Sequence, residues 1–168
     1  MQAEIRKAFE FSSRFHSKPG RDDAGQTGVP ESEAPGKGER ILVVDDYPGW
    51  LKVARTILSA GGYRVQVCQD PRDAVSFLKE NPEQIDLVIT DLKMPSLNGI
   101  DLSAELVKIN ATLPVLLTSV QEINLTSEEL HRLGIRDFVP KPWDPWQLFS
   151  IIRQALASNP SEDEASKN

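Results

Sequence analysis

"VITDLKMPSLNG", Val88 to Gly99, carries an apolar run onto a single carboxylate, Asp91, and then into a turn at Met94-Pro95. Strands often stop on Asp, because its side chain bonds nearby backbone N–H groups and starts a turn. The significance of Asp91 therefore depends on how the neighbouring strands end.

Upstream, "RILVVDD" is another apolar, β-branched run ending in acids, Asp45-Asp46. Pro48 follows where a first helical turn takes it, and "WLKVARTILSA" repeats apolar residues at helical spacing until Gly61-Gly62 stops it. "YRVQVC" reads as a short strand, and Asp70-Pro71 is an N-cap and first-turn pair opening a helix through Leu78. Downstream, "GIDLSAELVKI" is helical, Pro114 introduces the strand "VLLTS", and Thr126 with Glu129 forms a capping box for a helix ending near Gly134. "DFV" is a brief last strand. Asp144-Pro145 opens a final helix with Leu148, Ile151, Ile152 and Ala155 on one face.

Strands alternating with helices in this way imply right-handed βαβ units and a parallel sheet covered by helices on both faces. Roughly five such units make one doubly wound α/β domain, in which ligands sit outside the carboxyl ends of the strands. The expected organisation is one folded unit over 40–157, preceded by a linker over 18–39 and followed by a disordered tail over 158–168. The linker, "KPGRDDAGQTGVPESEAPGKGE", is rich in Gly, Pro and charge and offers no core. Before it, residues 1–17 place Ile5, Ala8, Phe9, Phe11 and Phe15 at roughly helical spacing. That segment reads either as a short amphipathic docking helix or as a marginal one that frays in isolation, the second being the simpler reading.

The 168-residue chain carries a net charge of −6, which disfavours binding to nucleic acid phosphates. Its single cysteine, Cys68, lies in an apolar stretch and reads as a small hydrophobe, which suits a reducing, cytoplasmic compartment. No apolar run approaches the length of a membrane span or a secretory h-region.

All of the strand ends now fall on one edge: Asp45-Asp46 after the first, Asp91 after the third, Thr118-Ser119 after the fourth, and Lys141-Pro142 after the fifth. Each residue has a plain explanation of its own, with Asp46 a helix cap, Lys141 a solvated charge and Ser119 a loop residue. Their convergence does not. Three carboxylates brought together repel one another, and a hard divalent cation with oxygen ligands relieves that repulsion while leaving positions open for a phosphoryl group. Lys141 adds the opposite charge, and a hydroxyl from Ser119 can donate to a phosphoryl oxygen.

With "ILVVDD", "VITDLKMPSLNG", "LPVLLTS" and "LGIRDFVPKPW" in this order, the chain resembles the receiver domains of two-component response regulators, from about Arg40 to about Ala157. The resemblance implies a flavodoxin-like sheet of strand order 2-1-3-4-5. It also implies that Asp91 is the phosphoacceptor and that Asp46 and Asp91 ligate Mg²⁺ or Mn²⁺, with the Lys93 backbone carbonyl beside them and Asp45 acting mainly through water. Lys141 matches the family's lysine before a proline, whose peptide bond is often cis. Family spacing from Pro114, Gly134 and Lys141 favours Ser119 over its neighbour Thr118 as the switch hydroxyl. Phe138 falls at the switch aromatic, although a plain core role fits it equally. Two positions depart from the usual pattern: Val120, where a small residue is common and which bears on access to the site, and Tyr47, where an acid or amide is common.

What the resemblance implies is a phosphoacceptor module rather than an enzyme. A sensor histidine kinase or histidine phosphotransfer protein would donate the phosphoryl group, and a downstream protein would bind the face of the fourth and fifth helices. Trp143 and Trp146 near that face read as interface anchors or as packing under the last helix. Homodimerisation is left open, and direct nucleic acid binding is not expected. The "LTSEELHRLGIRDFVPKPW" segment and the preceding linker are similar to receivers appended to hybrid sensor kinases. Two rivals remain. A phosphorylation-independent scaffold would normally lack one of the acidic or basic site residues. An aspartyl-nucleophile phosphatase of the haloacid dehalogenase type needs Asp-x-Asp after its first strand, whereas Asp45 and Asp46 are adjacent.

Overall fold

The structure, a computed structural model, describes residues 34–157; the expected N-terminal amphipathic segment, most of the linker and the C-terminal tail lie outside them. Five strands and five helices alternate: β1 Arg40–Val44, α1 Pro48–Ala60, β2 Arg64–Cys68, α2 Pro71–Glu80, β3 Leu87–Asp91, α3 Gly99–Ile109, β4 Val115–Ser119, α4 Ser127–Arg132, β5 Asp137–Pro140 and α5 Pro145–Ala157. The sheet runs β2-β1-β3-β4-β5, and every pairing is parallel. Its order reverses at β1, between β2 and β3, which places the crevice of a doubly wound sheet at the ends of β1 and β3.

The central strands bury both faces, which is why they read as unbroken apolar runs. Ile41, Val43, Leu87, Ile89 and Leu116 pack under α1 and α5 with Leu58, Leu148, Phe149 and Ile152. The alternate residues Leu42, Val44, Val88 and Val115 pack under α2 and α3 with Leu78, Leu102 and Leu106. A smaller cluster of Leu117, Leu130 and Ile135 seats α4 beside β4.

Helix starts follow local chemistry. Asp70 Oδ1 accepts from the Arg72 N–H at 2.9 Å, and Thr126 and Glu129 form the expected reciprocal capping box. Asp144 Oδ1 accepts from the Gln147 N–H at 2.9 Å. At α1 the cap position belongs to Tyr47, whose side chain caps nothing, and Pro48 supplies the first turn. Asp46 is therefore not spent on helix capping.

The linker expected over 18–39 extends too far. Residues 34–39 run into β1 alongside the turn between α1 and β2, where the Gly36 N–H donates to Gly61 O at 2.8 Å and the Gly38 N–H to Gly62 O at 3.1 Å. Gly36 packs flat on the Tyr63 ring, where a Cβ would come within 2.7 Å of it. Composition suggested no core contact for this segment, yet the lack of side chains is what permits its close approach. No helix among the described residues is long and apolar enough to cross a membrane.

Candidate functional site

Asp45 leaves the end of β1 almost fully buried, at 1% exposure. Its Oδ1 accepts from the Tyr47 N–H at 2.9 Å, and its Oδ2 accepts from Lys141 Nζ. Asp91 closes β3, and its Oδ1 accepts from the same ammonium at 2.6 Å while its Oδ2 accepts from the Lys93 N–H at 2.7 Å. Lys141 itself is 7% exposed and follows β5, two strands away from β3. Burial pushes the Asp45 carboxyl above the ordinary carboxylate range, and the Lys141 ammonium draws it back.

Asp46 stands at the rim, half-buried, and its carboxylate has no hydrogen bond or ion pair among the described residues. Only its backbone carbonyl is engaged, by Gln69 Nε2 at 3.1 Å. Among the described residues no three His, Cys, Asp or Glu side chains converge as a ready cation cage. The three acids of the sequence reading thus do not close on one point, because the Lys141 ammonium occupies the space between Asp45 and Asp91. The donors nonetheless suit a hard ion. They are carboxylate oxygens, one of them unpartnered, with no thiolate or imidazole, and Mg²⁺ needs only one or two carboxylates beside water and a substrate oxygen.

The two adjacent hydroxyls of β4 have different surroundings. Thr118 Oγ1 donates to Val139 O at 2.7 Å and accepts the indole N–H of Trp143 at 2.9 Å, so it is committed to the core. Ser119 Oγ accepts the Gln121 N–H at 3.0 Å and donates to no acceptor among the described residues. Ser119 therefore retains a rotatable proton at the strand end. Val120, beside it, is 66% exposed. Lys93 Nζ donates to Gln121 Oε1, linking the loop after β3 to the loop after β4 above Asp91. Phe138 is half-buried against the Leu117, Leu130 and Ile135 cluster.

The end of the opening stretch has a steric role. Gly99 begins α3 with its N–H on Leu92 O at 3.0 Å, and a Cβ there would stand 2.3 Å from Asp91 O. "NG" thus lets a helix start directly against the backbone of Asp91, after Asn98 Oδ1 has capped it through the Asp101 N–H.

Sequence reasoning missed the rings around Lys141. The Lys141 ammonium lies 5.1 Å from the Trp50 ring centroid and 5.8 Å from that of Trp143. Trp143 is 5% exposed, so it is no interface anchor, whereas Trp146 is 57% exposed. A clue lay in Trp50, which stands in the first turn of a helix that begins at the site edge. Cys68 is half-buried with its thiol on Asp70 O at 3.0 Å, and burial pushes its pKa up, in keeping with a packing role.

The family described as response regulator receiver domain matches residues 41–153. The chain is 33% identical over 129 residues to the transcriptional regulatory protein GlrR of Escherichia coli (strain K12), covering 76% of this chain and 29% of that protein. It is 36% identical over 119 residues to a two-component response regulator of Arabidopsis thaliana, covering 71% of this chain and 23% of that one. It therefore spans less than a third of the length of either relative. The receiver domain of the hybrid histidine kinase CckA aligns with a TM-score of 0.58 at 32% identity, over 70% of this chain and 98% of that domain. The receiver domain of the sensor histidine kinase PA1611 from Pseudomonas aeruginosa PAO1, solved with a magnesium ion in its active site cleft, shares the fold at a TM-score of 0.63 and 24% identity, over 72% and 99% of the two chains. With its 2-1-3-4-5 parallel sheet and these matches, the chain belongs to the response regulator receiver domain family of two-component systems.

Proposed function

We propose that this chain is a phosphoacceptor switch, taking a phosphoryl group on Asp91 from the phosphohistidine of a sensor kinase or histidine phosphotransfer protein. The observation that carries this reading is the single Lys141 ammonium shared by Asp45 and Asp91 at the strand ends. A buried lysine held there can pass from carboxylate to phosphoryl oxygen without crossing solvent.

An Asp91 carboxylate oxygen attacks phosphorus in line, the P–N bond to the kinase imidazole breaks as the P–O bond forms, and the imidazole leaves with the electron pair. Asp46 and Asp91, with the Lys93 carbonyl and Asp45 through water, would hold Mg²⁺ or Mn²⁺, which neutralises charge on the transferring group. Lys141 steadies one phosphoryl oxygen, and the free proton of Ser119 is available to another. Drawing Ser119 inward then biases the half-buried Phe138 and the face of α4 and α5, where a downstream protein binds. The product is an acyl phosphate, and the chain's own chemistry is confined to this self-catalysed transfer and slow hydrolysis. The working unit is 40–157 with the strap 34–39 against it, acting in the cytoplasm.

Intact-mass measurement after incubation with acetyl phosphate, with and without Mg²⁺, tests the reading on wild type and Asp91→Asn. The expected result is one Mg²⁺-dependent, hydroxylamine-labile phosphate on wild type alone. Equal labelling of Asp91→Asn overturns the assignment of Asp91. If neither acetyl phosphate nor a phosphorylated histidine kinase labels the wild type, the switch reading fails and a scaffold takes its place.

A further inference from the structure

Lys141 makes two oxygen contacts, to Asp45 and Asp91, and beyond them it faces two indole rings. Both ring centroids, at 5.1 and 5.8 Å, lie within the roughly 6 Å over which a ring quadrupole attracts a cation. The rings themselves are braced. Trp50 and Trp143 pack against each other with centroids 5.7 Å apart at 57°, and the Trp143 N–H is fixed on Thr118, next to Ser119 in β4. Trp50 is set in the first turn of α1, its backbone N–H on Tyr47 O at 3.0 Å.

We propose that Trp50 and Trp143 are positioning residues for Lys141. The inference rests on the phosphoacceptor reading and adds to it what directs the lysine. A lysine tail has four rotatable bonds and the rotamer entropy that goes with them, so an ammonium that must meet a small moving group needs restraint. An oxygen acceptor in place of the rings would restrain it by pulling it away from Asp91. An aliphatic wall would desolvate the charge without compensation. Indole faces do neither: they hold a cation close, exclude water, and leave its N–H bonds pointed at Asp45 and Asp91. Because Trp143 is anchored to Thr118, the cage is also tied to the strand that carries Ser119.

The test compares wild type, Trp50→Phe and Trp50→Leu, each with and without Lys141→Ala, under acetyl phosphate and saturating Mg²⁺. Initial labelling rates are taken per folded molecule by intact mass. In parallel, NMR reads the ring-current shift of the Lys141 ε-methylene protons, which needs no phosphorylation. Trp50→Leu is expected to label about three- to tenfold more slowly and to lose the Trp50 part of the upfield shift, the Trp143 ring remaining. Trp50→Phe keeps most of both, and Trp50→Leu has no further effect on rate once Lys141 is Ala. Wild-type labelling by Trp50→Leu overturns the proposal, as does equal slowing by Phe and Leu or a slowing that persists without Lys141. If the wild type takes phosphate neither from acetyl phosphate nor from a phosphorylated histidine kinase, the phosphoacceptor reading has failed by itself. The shift then decides positioning alone: present in wild type and reduced in Trp50→Leu supports it, absent from wild type or unchanged in Trp50→Leu overturns it. Should Trp50→Leu fail to fold, Trp50→Met serves as the non-aromatic variant under the same criteria.

Discussion

Lys141 Nζ donates to Asp91 Oδ1 at 2.6 Å while also holding Asp45, so one buried cation balances two carboxylates drawn from different strands. Each acid also accepts one backbone N–H, Asp45 from Tyr47 and Asp91 from Lys93, but they depend on the cation unequally because Asp45 is sealed inside and Asp91 is more open. Removing the cation strands a buried charge, which costs about 3–5 kcal/mol, whereas trimming the more open acid costs under about 1 kcal/mol. Urea unfolding at pH 7 is therefore expected to rank Lys141→Met far below Asp91→Asn. Acid should narrow the deficit of Lys141→Met. Burial already raises the Asp45 pKa, and losing Lys141 raises it further, so that lower pH protonates the carboxyl and relieves the penalty. A deficit that stays constant from pH 7 to pH 4 refutes this account.

Thr118 and Ser119 separate stability from switching. Thr118→Val leaves the buried Trp143 N–H without its acceptor, at a cost of about 1–3 kcal/mol. Ser119→Ala removes only an acceptor near the surface of the site and costs under about 1 kcal/mol. Under the proposed function the order reverses for signalling. Hydrogen exchange with and without acetyl phosphate is expected to show a phosphorylation-dependent change around β5 and α4 in Thr118→Val and none in Ser119→Ala. The opposite pattern would make Thr118 the switch hydroxyl.

Both this pair and the sheet were legible in the chain for the same reason. Residues with a two-faced burial read as apolar runs, and the polar group that ends each run is visible as a break in it. Pro48, Asp70-Pro71 and Thr126 with Glu129 mark helix starts by short-range chemistry that needs no tertiary information. What escaped depends on contacts between distant segments. The Trp50 and Trp143 faces meet Lys141 only once α1 and the loop after β5 are brought together. Residues 34–39 have the Gly and Pro content of a free linker, and only the bare backbone of Gly61 and Gly62, distant in sequence, gives them a place to pack. Thr118 and Ser119 differ in partners that no spacing rule reveals.

Gly99 tests how tightly the start of α3 is tied to β3. A methyl at this position would lie 2.3 Å from Asp91 O and 2.8 Å from Leu117, so α3 must move away. Gly99→Ala is expected to lose about 1–3 kcal/mol by overpacking. Because the shift is transmitted to Asp91, labelling by acetyl phosphate should also slow in the molecules that remain folded. Thermal unfolding together with initial labelling rates checks both, and a variant as stable as wild type would mean that the loop yields without cost.

Tyr63 provides an alkaline signature on the far side of the domain from Asp91 and Lys141. Its ring is 4% exposed, tilted against Phe149 and covered by Gly36, and its hydroxyl has no hydrogen-bond partner among the described residues. Burial, reinforced by Glu39 and opposed by Arg153, pushes its pKa from 10.0 up to about 12. A proton held more firmly in the folded state stabilises fully below the unfolded value, and that contribution disappears as pH rises from 10.0 to about 12. Tyr63→Phe keeps the ring, removes the unpaired hydroxyl and cannot ionise. At pH 7 it should be equal to wild type or more stable by up to about 1 kcal/mol. Above pH 10.0 its advantage should widen, since wild type must then bury a phenolate or stay protonated against the solvent. Other ionisable groups are common to both proteins, so the difference between their urea midpoints across pH 8–11 isolates Tyr63. A difference that does not grow with pH would mean that its hydroxyl reaches water in the folded state.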